Sequence, residues 1–180
     1  MSFPSFSTGE VLTAADMNAV GLWLVGSTTF VTTATPFING CFTSDYENYR
    51  VLINAEASTA TNLRFRMRSG TSTPETGAVY DRFGFSFVGS VTNQISSNEN
   101  AGFLGDITNS GGNRTVVSAD IFNANATRPT EVMPYTWGSN SGTVYLMTFR
   151  IETNTVYTGL ELYTDSGTLT GSMRVYGYRN

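Results

Sequence analysis

Apolar residues along this chain of 180 residues alternate with polar ones, the period of a strand that buries one face. Tyr49, Val51, Ile53 and Ala55 alternate with Arg50, Leu52, Asn54 and Glu56, and Leu63, Phe65 and Met67 with Arg64, Arg66 and Arg68. Phe83, Phe85 and Phe87 share one face; so do Thr115, Val117, Ala119 and Ile121, and then Tyr145, Met147, Phe149 and Ile151. Val156, Thr158, Leu160 and Leu162 oppose Tyr157, Gly159, Glu161 and Tyr163, and Met173 and Val175 oppose Arg174, Tyr176 and Tyr178. Leu22–Val25, Thr28–Thr33 and Val132–Trp137 are further candidate strands. Turn-forming stretches lie between these runs. Roughly eight to ten strands with one apolar face each predict an all-β fold of two antiparallel sheets packed face to face. The expected form is a jelly-roll-like β-sandwich over residues 22–180, with a closed barrel as the alternative. The connections at 69–78, 89–101 and 123–131 exceed hairpin length, which suits the crossovers of a sandwich.

Residues 1–21 break the pattern. After an irregular opening, Thr13 is a good N-cap, Asp16 favours the positive end of a helix, Ala14, Ala15 and Met17 are helix formers, and Gly21 stops the run. The reading is one short helix, too short to stand alone in water. It must pack on its own domain, on a sister subunit or on a larger assembly, so residues 1–21 read as an attachment segment.

Composition narrows the chemistry. Charged residues make up 13% of the chain, where an average domain has about 25%. All ten basic residues are Arg, since the sequence has neither Lys nor His. Without His there is no Ser-His-Asp or Cys-His system and no His-ligated zinc; without Lys there is no Schiff base and no Walker A loop. The lone Cys41 forms no intrachain disulfide and reads as a small buried hydrophobe. A net charge of −4 argues against a nucleic-acid binder, and no apolar run is long enough for membrane insertion as a helix. The opening carries no secretory signal, so synthesis in a cytoplasm is expected. No cofactor is indicated, and the protein reads as a non-enzyme.

Three groups of side chains are candidates for function. Arg64, Arg66 and Arg68 project from one strand face roughly 7 Å apart. They read as an anion grip, as a solvated face paired with Glu56, Asp81 or Glu161, or as an inter-subunit ion pair. Aromatic residues crowd the C-terminal third, where Tyr135, Trp137, Tyr145 and Tyr163 are candidate glycan-stacking platforms. The alternative is that they fill the core and a subunit interface. Among the carboxylates, Asp45 with Glu47 or Asp120 with Glu131 could meet as a pair, and Asp45, Asn48 and Asp165 could ligate calcium, though no motif supports either. Asp81 shares its strand face with the three Phe residues, which makes it the acid expected to be half-buried, paired with Arg50 or Arg82.

Two stretches carry a resemblance. Phe6 to Asn18, FSTGEVLTAADMN, resembles the opening of tailed-bacteriophage tail-fibre and minor virion proteins. Phe42 to Val51, FTSDYENYRV, followed much later by Gly171 to Arg179, GSMRVYGYR, is similar to a pattern in β-rich modules of phage tail fibres. The resemblance implies a virion structural protein, a homotrimer without catalytic residues, joined to other virion proteins through residues 1–21. The chain is short and has no fibre shaft. The expectation is therefore a short tail fibre or receptor-binding knob that contacts host surface polysaccharide. The alternative is a capsid decoration protein stabilising the phage head, and a glycan-degrading enzyme comes last.

Overall fold

The alternation at 49–57 is realised as a strand whose Tyr49, Val51, Ile53, Ala55 and Ala57 are all buried, while Leu52 and Asn54 face outward. The same rule builds most of the molecule. The computed structural model describes residues 21–70, 73–108, 114–138 and 142–178. Their strands are β1 (Leu22–Thr33), β2 (Phe37–Ile38), β3 (Asn48–Ala57), β4 (Thr61–Ser69), β5 (Thr73–Pro74), β6 (Tyr80–Val88) and β7 (Ser90–Asn93), then β8 (Ser96–Glu99), β9 (Gly102–Ile107), β10 (Thr115–Phe122), β11 (Thr130–Trp137), β12 (Val144–Ile151), β13 (Gly159–Thr164) and β14 (Leu169–Tyr178). The short helix expected within residues 13–20 lies outside the described residues, as does the rest of the attachment segment up to residue 20.

The strands form two antiparallel sheets. The larger runs β1-β14-β3-β10-β11-β12-β6-β7, with β8 also paired to β6; the smaller runs β2-β13-β4-β5, with β9 paired to β4. Their inner faces share one core, so the all-β two-sheet sandwich is the observed architecture. Phe65 of the small sheet meets Phe149 of the large one edge-on, with ring centroids 5.4 Å apart. Buried tyrosines find partners for their hydroxyls. The Met67 backbone N–H donates to the Tyr80 hydroxyl at 3.0 Å, and Tyr49 both donates to the carbonyl and accepts from the N–H of Thr43 at 2.7 Å. Cys41 is buried, and burial pushes its thiol up to about 12.

Three elements depart from the alternation reading. On β6 the face of Phe83, Phe85 and Phe87 points to solvent, while Tyr80, Gly84 and Ser86 turn inward. The reason is close packing: a Cβ at Gly84 would stand 2.2 Å from the Leu146 carbonyl oxygen and 2.8 Å from the Met147 Cα. At 156–163 the strand begins only at Gly159, and across the irregular approach Tyr157 is buried while Val156 is exposed, the reverse of the expected sidedness. β9 carries no alternation because it is buried at nearly every position; Gly102 sits where a Cβ would fall 1.9 Å from the Phe65 ring.

Candidate functional site

β11 is apolar on both sides. Val132, Pro134 and Thr136 face the core, and Met133, Tyr135 and Trp137 face out. Its neighbours do the same, and the antiparallel register aligns their outward side chains in rows. Val116, Trp137, Val144, Phe87 and Val91 form one row across five adjacent strands. Ser118, Tyr135, Leu146, Phe85 and Asn93 form the next, and Asp120 with Met133 and Thr148 with Phe83 make a third. Successive rows lie roughly 7 Å apart. The aromatic members are largely uncovered, at 58% exposure for Phe83, 47% for Phe85, 51% for Tyr135 and 54% for Trp137. A shallow depression of about 450 Å³ opens between Phe83, Phe85, Tyr135 and Leu146. Charges stand at the rim. Arg50 donates to both Asp120 carboxylate oxygens at 2.9 and 2.8 Å, and the Tyr178 hydroxyl donates to Oδ1 at 2.7 Å. The Arg50 hydrogen bonds hold the Asp120 carboxyl below its usual range against the opposing effect of burial. At one end of the rows Glu131, Arg150 and Asp81 stand side by side, and Arg150 also pairs with Glu152 at 3.0 Å.

The outer face of the small sheet is built differently. Arg64, Arg66 and Arg68 of β4 stand opposite Tyr163, Glu161 and Gly159 of β13. Arg64 is held by Asp165 at 2.6 Å, and the Arg66 guanidinium lies 4.3 Å from the Tyr163 ring centre. Arg68 donates to the buried Glu161 and, through Nε, to Asn39 Oδ1 at 2.9 Å, with the Phe37 ring centre 4.4 Å away. Glu161 is thereby the shared anion of two arginines, Arg66 lying 3.9 Å from its other oxygen. The ladder is neutralised within the chain, and every one of its three cations already has a partner.

The candidate residues thus separate. Tyr135 and Trp137 come together on the outer face of the large sheet. Tyr145 sits inside the sandwich, edge-on to Phe103 at 5.3 Å, because its strand turns the odd-numbered residues inward. Tyr163 belongs to the opposite face of the molecule, beneath Arg66. Asp81 is paired with neither Arg50 nor Arg82; its Oδ1 accepts the Asn98 backbone N–H at 2.9 Å. Glu47 pairs with Arg128 rather than Asp45, Asp120 with Arg50 rather than Glu131, and Glu56 with Arg114. Asp45 accepts from the Thr43 hydroxyl and Asp165 is taken by Arg64 and Asn62, and among the described residues no group of three or more acids and thiols stands close enough for a metal. Residues not offered as functional candidates from sequence complete the large-sheet surface: Met133, Leu146, Val116, Leu52 and the Phe trio, whose shared face turns outward. The signal for them was present, since β11 and β12 carry apolar residues at consecutive positions.

Comparison with known proteins supplies no sequence relative. No protein-family model matches the chain, and no curated protein matches it. Among solved structures the chain is similar to galectin LEC-6 of Caenorhabditis elegans, at 12% identity and a TM-score of 0.34, over 83% of this chain and 94% of that one. It is similar also to a β-fructofuranosidase of Schwanniomyces occidentalis, at 13% identity and a TM-score of 0.35, over 94% of this chain. It spans about a third of that enzyme's length, 35%. A protein of unknown function from Shewanella oneidensis MR-1 matches with a TM-score of 0.28. At such scores none of these likenesses bears on what the chain does.

Proposed function

We propose that this chain is a structural subunit of a tailed-bacteriophage particle that works by contact, not by turnover. It is a jelly-roll-like knob of the tail-fibre type, a homotrimer tied to other virion proteins through residues 1–21. The observation that supports an assembly role is the apolar outer face of the large sheet. Five aromatic side chains alone leave roughly 500 Å² uncovered there, near the upper end for the largest apolar patch on a monomer. Apolar patches of this size often mark a surface used for contact. The resemblance at both ends of the sequence supplies the virion context.

Two experiments test this reading. A chain lacking residues 2–20 should remain a folded β-domain by circular dichroism yet fail to join the particle; a truncated chain that does not fold, or that still assembles, overturns the attachment role. Copy number per particle then separates the tail position from the capsid-decoration alternative, since a decoration protein is present in hundreds. A second reading, contact with host surface polysaccharide, draws support from the position of Trp137. Its row lies six residue pairs beyond the row of Leu22, toward the end of the sheet remote from Leu22. Purified protein incubated with envelope polysaccharide should then bind without shortening it.

A further inference from the structure

We propose that the outer face of β10, β11, β12 and β6 is where one copy of this chain packs against another. The inference rests on the assembly role above and names the partner on that face. Three observations carry it. First, the size fits. The uncovered parts of Phe83, Phe85, Phe87, Tyr135 and Trp137 together with the aliphatic residues around them approach roughly 800 Å², the area one partner contributes to a standard interface. Second, the shape fits. Outward side chains from adjacent strands stand in level rows, the arrangement by which two sheets pack about 10 Å apart.

Third, the charges fit an identical partner. The chain carries a net charge of −4, so two copies repel one another wherever that charge is expressed. The centre of this face carries no charge; at its rim Arg50 is already paired with Asp120 and Arg150 with Glu152 within the chain, and the exposed Arg174 stands beside Leu52. A glycan needs convergent hydrogen-bonding groups. Besides the Tyr135 hydroxyl and the Trp137 indole N–H, the rows offer only Ser118, Thr148 and Asn93. An aromatic centre inside a charged rim is the anatomy of a protein contact.

The test is light scattering of the purified full chain from low to high micromolar concentration, beside the double variant Phe85→Glu with Trp137→Glu. Val31→Glu, an exposed site on the edge strand β1, is the control. The wild type and the control should give the mass of three chains. The double variant should give one, with unchanged circular dichroism and a self-dissociation constant raised at least about tenfold. If the double variant does not fold, Tyr135→Arg replaces it. A wild type that remains a single chain at all concentrations overturns the proposal, as does a folded variant with wild-type mass. Incorporation into particles separates this outcome from the broader reading. A monomeric wild type whose double variant no longer enters particles leaves the assembly role standing with another virion protein on this face. A variant that enters normally removes the face from both.

Discussion

Replacing Glu161 by Gln should be among the most destabilising single changes in this domain. Glu161 and Arg68 are 6% and 7% exposed, and the carboxylate serves two arginines. The amide keeps the shape and one acceptor oxygen but removes the charge, so Arg68 remains a buried cation with only the Asn39 side chain as a polar partner of the original set. Breaking a buried ion pair on one side costs about 3–5 kcal/mol, a large share of the ~5–15 kcal/mol that holds a domain folded. With a urea slope of about 2–3 kcal/mol/M the unfolding midpoint should fall by roughly 1–2 M. Asp165→Asn provides the comparison. Its pair with Arg64 is 43% and 24% exposed, and such pairs contribute under about 1 kcal/mol. Joint replacement of Arg68 and Glu161 by Met should recover most of the loss, because a matched apolar pair leaves no uncompensated charge. Equilibrium urea unfolding followed by circular dichroism measures all three. A Glu161→Gln midpoint within error of Asp165→Asn would refute the assignment of Glu161 as the anion that neutralises the ladder.

Asp120 makes stability depend on pH in a defined sense. Its carboxyl is held low in the folded chain, so its contribution is complete above the unfolded value of about 3.9 and is lost as pH falls through the lower folded value. Acidification below about pH 4 should therefore cost the wild type more stability than Asp120→Asn, and parallel curves for the two would contradict it. Cys41, buried and with its thiol pushed up to about 12, should react with a disulfide dye at pH 8 only when the domain opens. Native labelling as fast as in denaturant would place the thiol at the surface.

Alternation located most strands because a half-buried strand writes its two faces into the sequence, as at 49–57, 145–151 and 173–178. It identifies which residues share a face, not which face is the core. On β6 the larger side chains mark the outside, since Gly84 must lie flat against β12. β9 was missed for the opposite reason: a strand covered on both sides, with Gly102 and Gly105 admitting close neighbours, carries no period of two. Of the aromatic candidates, Tyr135 and Trp137 share a face because they sit two apart on one strand. Tyr145 and Tyr163 could not be separated from them without knowing the order of strands in the sheets. The arginine ladder was legible as a ladder, and Glu161 was among its expected partners, but only the register of β13 against β4 shows that one carboxylate serves both Arg66 and Arg68.

The pairing of β1 with β14 sets how the domain bears load. Leu22 stands opposite Tyr178, so the chain enters and leaves the sandwich at one corner of the large sheet. Antiparallel hydrogen bonds run across the strands. A pull that separates Leu22 from Tyr178 opens them one after another, like a zip. A pull on Leu22 against the far end of the sheet, near Trp137, runs along β1 and strains the whole β1–β14 ladder at once. The same joint is thus weak to peeling and strong in shear, and a particle that tugs this domain through residues 1–21 against a contact at its remote end would load it in the strong direction.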